Sequence, residues 1–218
     1  MNKISEEIYN KYLVSLLAGN RLECCIIIQN LLDTSIEITD LHENLIKRSM
    51  YEVGNLWELN EITVANEHLA TAISDTLLNL TYPYIFETKR KGKKAVIACC
   101  TNELHQLGAK MVGDILELNG WDSSFLGANT PLDDMISYID KIVPKIVGLS
   151  LSYRPNLDHL KRTVERVRSE FPNLNLMIGG HAFLEGGLDG PGFIREYSGV
   201  EYVPSLKHFE NILKGECI

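Results

Sequence analysis

The chain has 218 residues, 29 acidic against 21 basic side chains, a net charge of −8, and 45% hydrophobic and 23% charged residues. That balance excludes a disordered or collagen-like chain and leaves room for one large domain or two of roughly 100 residues. An acidic chain without a long basic tail is poorly suited to grip nucleic acid through its phosphates.

The start, Met1-Asn2-Lys3-Ile4-Ser5-Glu6-Glu7, lacks the basic-then-apolar pattern of a secretory signal. Apolar runs such as Ile26-Ile27-Ile28 and Ala95 to Cys100 fall far short of the roughly 20 residues of a membrane span. A cytoplasmic protein without membrane contact is expected. Cys24, Cys25, Cys99, Cys100 and Cys217 have neither zinc-site nor disulfide spacing. Cys99 and Cys100 end an apolar run and are expected to be core thiols.

Residues 1–86 read as helices. Ile8, Tyr12 and Leu16, with Leu13 and Leu17 beside them, form a helical stripe that Gly19-Asn20 ends. Leu22, Cys25, Ile26 and Leu32 mark a second helix. Thr39 or Asp40 is expected to cap a third, with Leu41, Leu45, Ile46, Met50, Val53 and Trp57 facing inward. Asn60-Glu61 interrupts it. Thr63 caps a fourth through Leu69, Ile73, Leu77 and Leu80. Four helices with short connections predict a four-helix bundle. The run from Glu87 to Lys94 carries Lys89, Arg90, Lys91, Lys93 and Lys94 around a glycine, and reads as a solvated hinge rather than a nucleic-acid contact, since no aromatic residue is interleaved.

From Ala95 the period changes. Strands are expected at 95–100, 121–126, 145–151 and 174–180, with a fifth at Tyr202-Val203. Between them lie helices through Met111, Ile115 and Leu118, from Thr130-Pro131 with the proline first, over Leu157 to Phe171, and from Ser205. Such alternation predicts an α/β domain with a five-stranded parallel sheet wrapped on both faces. The division expected is 1–91 helical and 92–218 sheet. Ligands bind such sheets outside the carboxyl ends of the strands, so the loops after those ends are where a site is sought.

The first such loop is Thr101-Asn102-Glu103-Leu104-His105-Gln106-Leu107-Gly108. A carboxylate two residues before a histidine suits a metal-bound imidazole, whose other ring nitrogen must be held. A plain hydrogen-bonded pair is the alternative. Gly108 lets the backbone approach a bulky ligand. Ser150 and Ser152 offer small hydroxyls, and Gly179-Gly180 is expected to leave an empty trough. No second Cys, His or Asp completes a zinc or iron set with His105, so a metal there must bring most of its own ligands, as a macrocycle does. No phosphate-cradling glycine pattern follows the first strand.

These elements resemble the flavodoxin-like cobalamin-binding domains, whose pattern is Asp-x-His-x-x-Gly, Ser-x-Leu and Gly-Gly at set intervals. Here Glu103-x-His105-x-x-Gly108 is followed by 41 residues, Ser150-Leu151-Ser152, 26 residues and Gly179-Gly180. Glu replaces Asp at 103, and Ser152 stands where leucine is usual. The resemblance implies that His105 is the lower axial cobalt ligand in place of the cofactor's own base, with Glu103 behind it. Ser150 and Gly179-Gly180 would hold the displaced nucleotide tail.

The resemblance extends to the helical half, which in the family caps the upper corrin face. Trp57, nine residues, then Glu67-His68 matches the spacing of the light-responsive adenosylcobalamin regulators of the CarH type, where these residues surround the adenosyl group. The plainer alternative is a core tryptophan and a solvated pair. The regulators carry a histidine after the tryptophan; here it is Glu58. With no DNA-binding module expected ahead of the bundle, the resemblance implies a cobalamin sensor. It would bind adenosylcobalamin, with methylcobalamin or hydroxocobalamin as other forms, and respond to light or cofactor state through self-association or a protein partner. It would not itself be an enzyme. The alternative is a corrinoid methyl carrier of a methyltransferase system.

Overall fold

A computed structural model describes residues 4–184, 189, 192, 195 and 197–215. Cys217 lies outside them. The chain divides into two compact units, Met1–Glu87 and Thr88–Ile218.

The first unit is helical: α1 (Glu6–Leu17), α2 (Arg21–Asp33), α3 (Ile38–Leu41), a π-helical turn (His42–Lys47) leading straight into α4 (Arg48–Glu58), α5 (Val64–Leu78) and a short α6 (Tyr82–Phe86). Tyr12, Leu16, Ile28, Leu41, Leu45, Ile46, Val53 and Ile73 form its core, each at most 1% exposed. Side chains cap the helix starts where orphan N–H groups need acceptors: Ser5 for α1, Asn20 for α2 and a Thr63–Asn66 capping box for α5.

Several inward faces differ from the sequence reading. In α2 the buried residues are Cys24, Ile27, Ile28, Leu31 and Leu32, while Leu22 and Ile26 are exposed. The expected stripe continues into Gln29 and Asp33, which bond to each other at 3.1 Å on the exposed side; burying that polar pair would cost more than exposing two aliphatic side chains. The third helix begins at Ile38 with Glu37 before it, not at a Thr39 or Asp40 cap, because Ile38 and Thr39 are themselves buried. After the π turn, Ser49 and Val53 face inward from α4, while Trp57, four residues beyond Val53 on the last turn of the helix, is 47% exposed. In α5 the small Ala70 takes the inner place, leaving Leu69 exposed.

The second unit holds β1 (Lys93–Cys99), α7 (Leu107–Leu118), β2 (Trp121–Phe125), α8 (Leu132–Ile142), β3 (Ile146–Ser150), α9 (Leu157–Glu170), β4 (Asn175–Gly179), β5 (Val200–Tyr202) and α10 (Leu206–Lys214). All strand pairs are parallel in the order β2-β1-β3-β4-β5. That is the flavodoxin-like order, with its switch point between β1 and β3. Strand β1 is buried on both faces from Ala95 onward, as a covered parallel sheet requires. Cys99 and Cys100 are fully buried, and loss of solvation pushes both thiols up to about 12.

Arg90 and Pro131 depart from expectation. Arg90 is no solvated hinge residue: its guanidinium donates to the Glu117 and Trp121 carbonyls at 3.2 and 3.0 Å, neutralising backbone acceptors at the end of α7 and start of β2. Pro131 precedes α8 rather than opening it, with ψ at 135°. No helix among the described residues is long and apolar enough to cross a membrane.

Candidate functional site

Register places Cys99, Ser150 and Gly179 side by side across β1, β3 and β4 at the carboxyl edge of the sheet. Beyond Cys99 the chain turns through Asn102, whose φ is +66°. This turn sends Glu103 into the protein, fully buried, and His105 outward with 59% of its side chain exposed.

The Glu103 carboxylate accepts four hydrogen bonds. Oε1 takes the backbone N–H of His105 at 2.9 Å and its Nδ1–H at 2.6 Å. Oε2 takes the backbone N–H groups of Ser152 and Tyr153, each at 2.9 Å. The glutamate thus reaches from its own loop to the loop after β3. Burial alone pushes its pKa up; the bonds from His105, Tyr153 and Ser152 outweigh that and hold it below the ordinary glutamate range. An ionised carboxylate only accepts, so Nδ1 carries a proton, and in the neutral imidazole Nε2 is then the nitrogen with the lone pair. That is the tautomer a metal-ligating histidine needs.

Gly108 sits in the first turn of α7 with nothing within 4 Å of where a Cβ would stand, so the backbone there is open to a large ligand. The Gly179-Gly180 pair is not an empty trough on its Cβ side. A Cβ on Gly179 would lie 2.9 Å from the Val203 carbonyl oxygen, and one on Gly180, at φ +119°, would overlap the Leu151 backbone. Gly180 lets the ends of β3 and β4 approach, where the Leu151 N–H donates to the Gly179 carbonyl at 2.9 Å, and Gly179 lets the chain after β5 come close. Ser150 and Ser152 are half-buried, and Ser152 meets Glu103 through its backbone rather than its hydroxyl.

In the helical unit Trp57 stands on the last turn of α4, Glu67 on the first turn of α5, and His68 directly after it. Glu67 accepts from the Thr71 hydroxyl at 2.8 Å and lies 3.6 Å from His68 Nε2. The His68 side chain is 75% exposed. Trp57 is therefore no core tryptophan. The sequence reading missed the polar contacts that tie the His105 loop to its neighbours: Gln106 accepts the Ala128 N–H at 3.0 Å, and Asn102 meets Asn129 and Asn156. These partners are 22 to 54 positions apart, so no local motif marks them.

Among the described residues no group of three His, Cys, Asp or Glu is placed to hold a metal ion. One exposed, oriented imidazole beside an open glycine instead fits a metal that arrives inside a macrocycle.

Comparison with known proteins agrees. Two family models match, each described as a B12 binding domain, over residues 8–80 and 93–194. The HTH-type transcriptional repressor CarH of Myxococcus xanthus is 30% identical over 135 residues, which is 60% of this chain and 44% of the repressor. The repressor CarA of the same organism is 32% identical over 89 residues, 41% of this chain and 31% of CarA. The chain thus spans less than half the length of these curated relatives. The monomethylamine corrinoid protein of Methanosarcina barkeri shares the fold at a TM-score of 0.81 and 16% identity, over 97% of this chain and 100% of that one. The methanol:cobalamin methyltransferase complex MtaBC of that organism matches at a TM-score of 0.51 and 14% identity, over 98% of this chain and 81% of that one. With both of its halves matched and the imidazole held ready at the sheet edge, the chain belongs to the B12-binding proteins: a helical B12-binding domain followed by a parallel-sheet one.

Proposed function

We propose that this chain is a corrinoid carrier serving a separate methyltransferase, binding cobalamin with the cofactor's own base displaced and His105 in its place. The observation that carries the corrinoid reading is the exposed imidazole whose Nδ1–H is fixed by the buried, fourfold-bonded Glu103. When bound, the corrinoid supplies an exchangeable methyl group. The chain's own work is to place Nε2 of His105, hold the Nδ1 proton on Glu103, and leave the Gly108 backbone open to the ring. Ser150, Ser152, Gly179 and Gly180 are proposed to line the path of the nucleotide tail. Transfer chemistry then belongs to the partner, and the chain has no catalytic residue of its own. The carrier form is supported by the fold it shares along nearly its whole length with a corrinoid protein, and by Glu58 where a light-responsive regulator needs histidine.

A second reading, an adenosylcobalamin-dependent regulator, is favoured by the Trp57, Glu67 and His68 spacing and by the likeness to CarH. In that reading the three side chains contact the upper adenosyl group, and light changes self-association or partner contacts. Titration with methylcobalamin and with adenosylcobalamin, dark and then lit, separates the two. The carrier binds methylcobalamin more tightly, passes methyl to a thiol or tetrahydrofolate acceptor with its methyltransferase, and keeps its oligomeric state in light. Preference for adenosylcobalamin with a light-driven change of oligomeric state overturns it in favour of the regulator. An unaltered spectrum in His105→Ala overturns the ligand assignment under both.

A further inference from the structure

Asn102 is the meeting point of three loops. Its backbone N–H donates to Asn129 Oδ1 at 2.8 Å, from the loop after β2. Its carbonyl accepts from Asn156 Nδ2 at 2.9 Å, from the segment after β3. Its side-chain amide lies 3.0 Å from His159 Nε2 in α9. One residue on, the Glu103 carbonyl accepts the Asn129 N–H at 2.8 Å. The peptide just before the Glu103–His105 pair is therefore pinned from both sides, while Asn102 itself holds a left-handed φ of +66° and Asn129 one of +48°. Asparagine tolerates that conformation better than other side-chain-bearing residues, so its use at both corners is what this geometry demands.

Resting on the corrinoid reading above, we propose that Asn129 and Asn156 are positioning residues for the axial histidine: through Asn102 they hold the His105 loop in its coordinating geometry before any cofactor arrives. A loop that had to order on binding would lose affinity to the conformational entropy of its residues; a pinned loop does not. The two asparagines act with opposite polarity. Asn129 presents an acceptor to an N–H and is exposed, so a carboxylate serves as well. Asn156 presents a donor to a carbonyl and is buried, so a carboxylate there faces another acceptor.

The test compares Asn129→Asp with Asn156→Asp in the full chain, with Asn156→Ala as a second variant that removes the donor without adding charge. In the cofactor-free protein, hydrogen exchange at the amides of Glu103 and His105 is expected to rise about tenfold or more in both Asn156 variants and to stay within about twofold of the parent in Asn129→Asp. With hydroxocobalamin, the histidine-ligated fraction seen by absorption and by the nitrogen coupling in the reduced cobalt EPR spectrum follows the same order. Equal exchange in the parent and both Asn156 variants overturns the proposal, as does an Asn129→Asp variant that behaves like Asn156→Asp. If the parent shows the exchange pattern but no histidine-ligated cobalamin, it is the corrinoid reading that falls and the loop clamp that stands.

Discussion

Replacing Glu103 by glutamine changes one atom of the site and separates the two tasks of the carboxylate. Four donors converge on its two oxygens. The amide keeps one acceptor oxygen and turns the other position into a donor. If the NH2 faces the loop after β3, the N–H groups of Ser152 and Tyr153 both lose their acceptor. If it faces His105, only one backbone N–H is stranded, because the imidazole can change tautomer and let Nδ1 accept. The second arrangement is the cheaper. Its cost is one unsatisfied buried N–H, about 1–3 kcal/mol. It also moves the ring proton to Nε2 and removes the lone pair that the proposed ligation of cobalt by His105 requires. Glu103→Gln should therefore lower the melting temperature of the sheet unit by about 3–10 °C. It should also abolish the histidine-ligated spectrum while His105 is intact. The melt is followed by Trp121, 6% exposed within the sheet unit, in a Trp57→Phe background that silences the other tryptophan. A variant that melts with the parent and keeps its spectrum would refute the tautomer argument.

Glycine, cysteine and glutamate positions elsewhere give further expected outcomes. Gly180→Ala should destabilise the sheet unit by about 3 kcal/mol, since the new Cβ overlaps the Leu151 backbone at a positive φ. Gly108→Ala, with open space and helical geometry, should stabilise it by about 0.5 kcal/mol and yet weaken cobalamin binding. Equal effects in denaturant melts would contradict that contrast. Cys99 and Cys100, pushed up to about 12 and fully buried, should resist alkylation at pH 8 in the native protein while half-buried Cys25 reacts; peptide mass mapping reads the order. Glu210 is held below the ordinary value of 4.5: burial raises it, and hydrogen bonds from Lys207 and Lys214 more than reverse that. Its folded value lies below the unfolded one, so its stabilising contribution is present above pH 4.5 and is lost as pH falls through the folded value. Melting temperatures of the parent and Glu210→Gln should converge as the pH falls below the ordinary glutamate range; parallel curves would exclude the linkage.

Much of the molecule was legible in one dimension because its signals are local. A period of 3.6 marks the helices before residue 87, and short apolar runs between glycine, asparagine and proline stops mark four strands at nearly their observed bounds. The spacing of Glu103, His105, Gly108, Ser150 and Gly179 works because a parallel α/β sheet brings each strand end to one edge, so intervals along the chain become neighbours in space. What a period cannot settle is phase. Two stripes overlap in α2, and only the cost of burying Gln29 and Asp33 selects the observed one. Trp57 continues the Val53 stripe of α4 and is exposed all the same on the last turn of the helix, which the period by itself does not announce. The glycine pair at 179–180 reads as an empty trough in one dimension, but the reason for it is the neighbouring backbone, Val203 beside Gly179 and Leu151 beside Gly180, which only folding supplies. Likewise Glu103 and His105 announce themselves two residues apart. That the carboxylate is also satisfied by Ser152 and Tyr153, and the loop pinned by Asn129 and Asn156, depends on contacts across 27 to 54 positions. Hydrogen bonds at that range are made by the packing of loops on a finished sheet, and it is they that fix the orientation of the His105 ring.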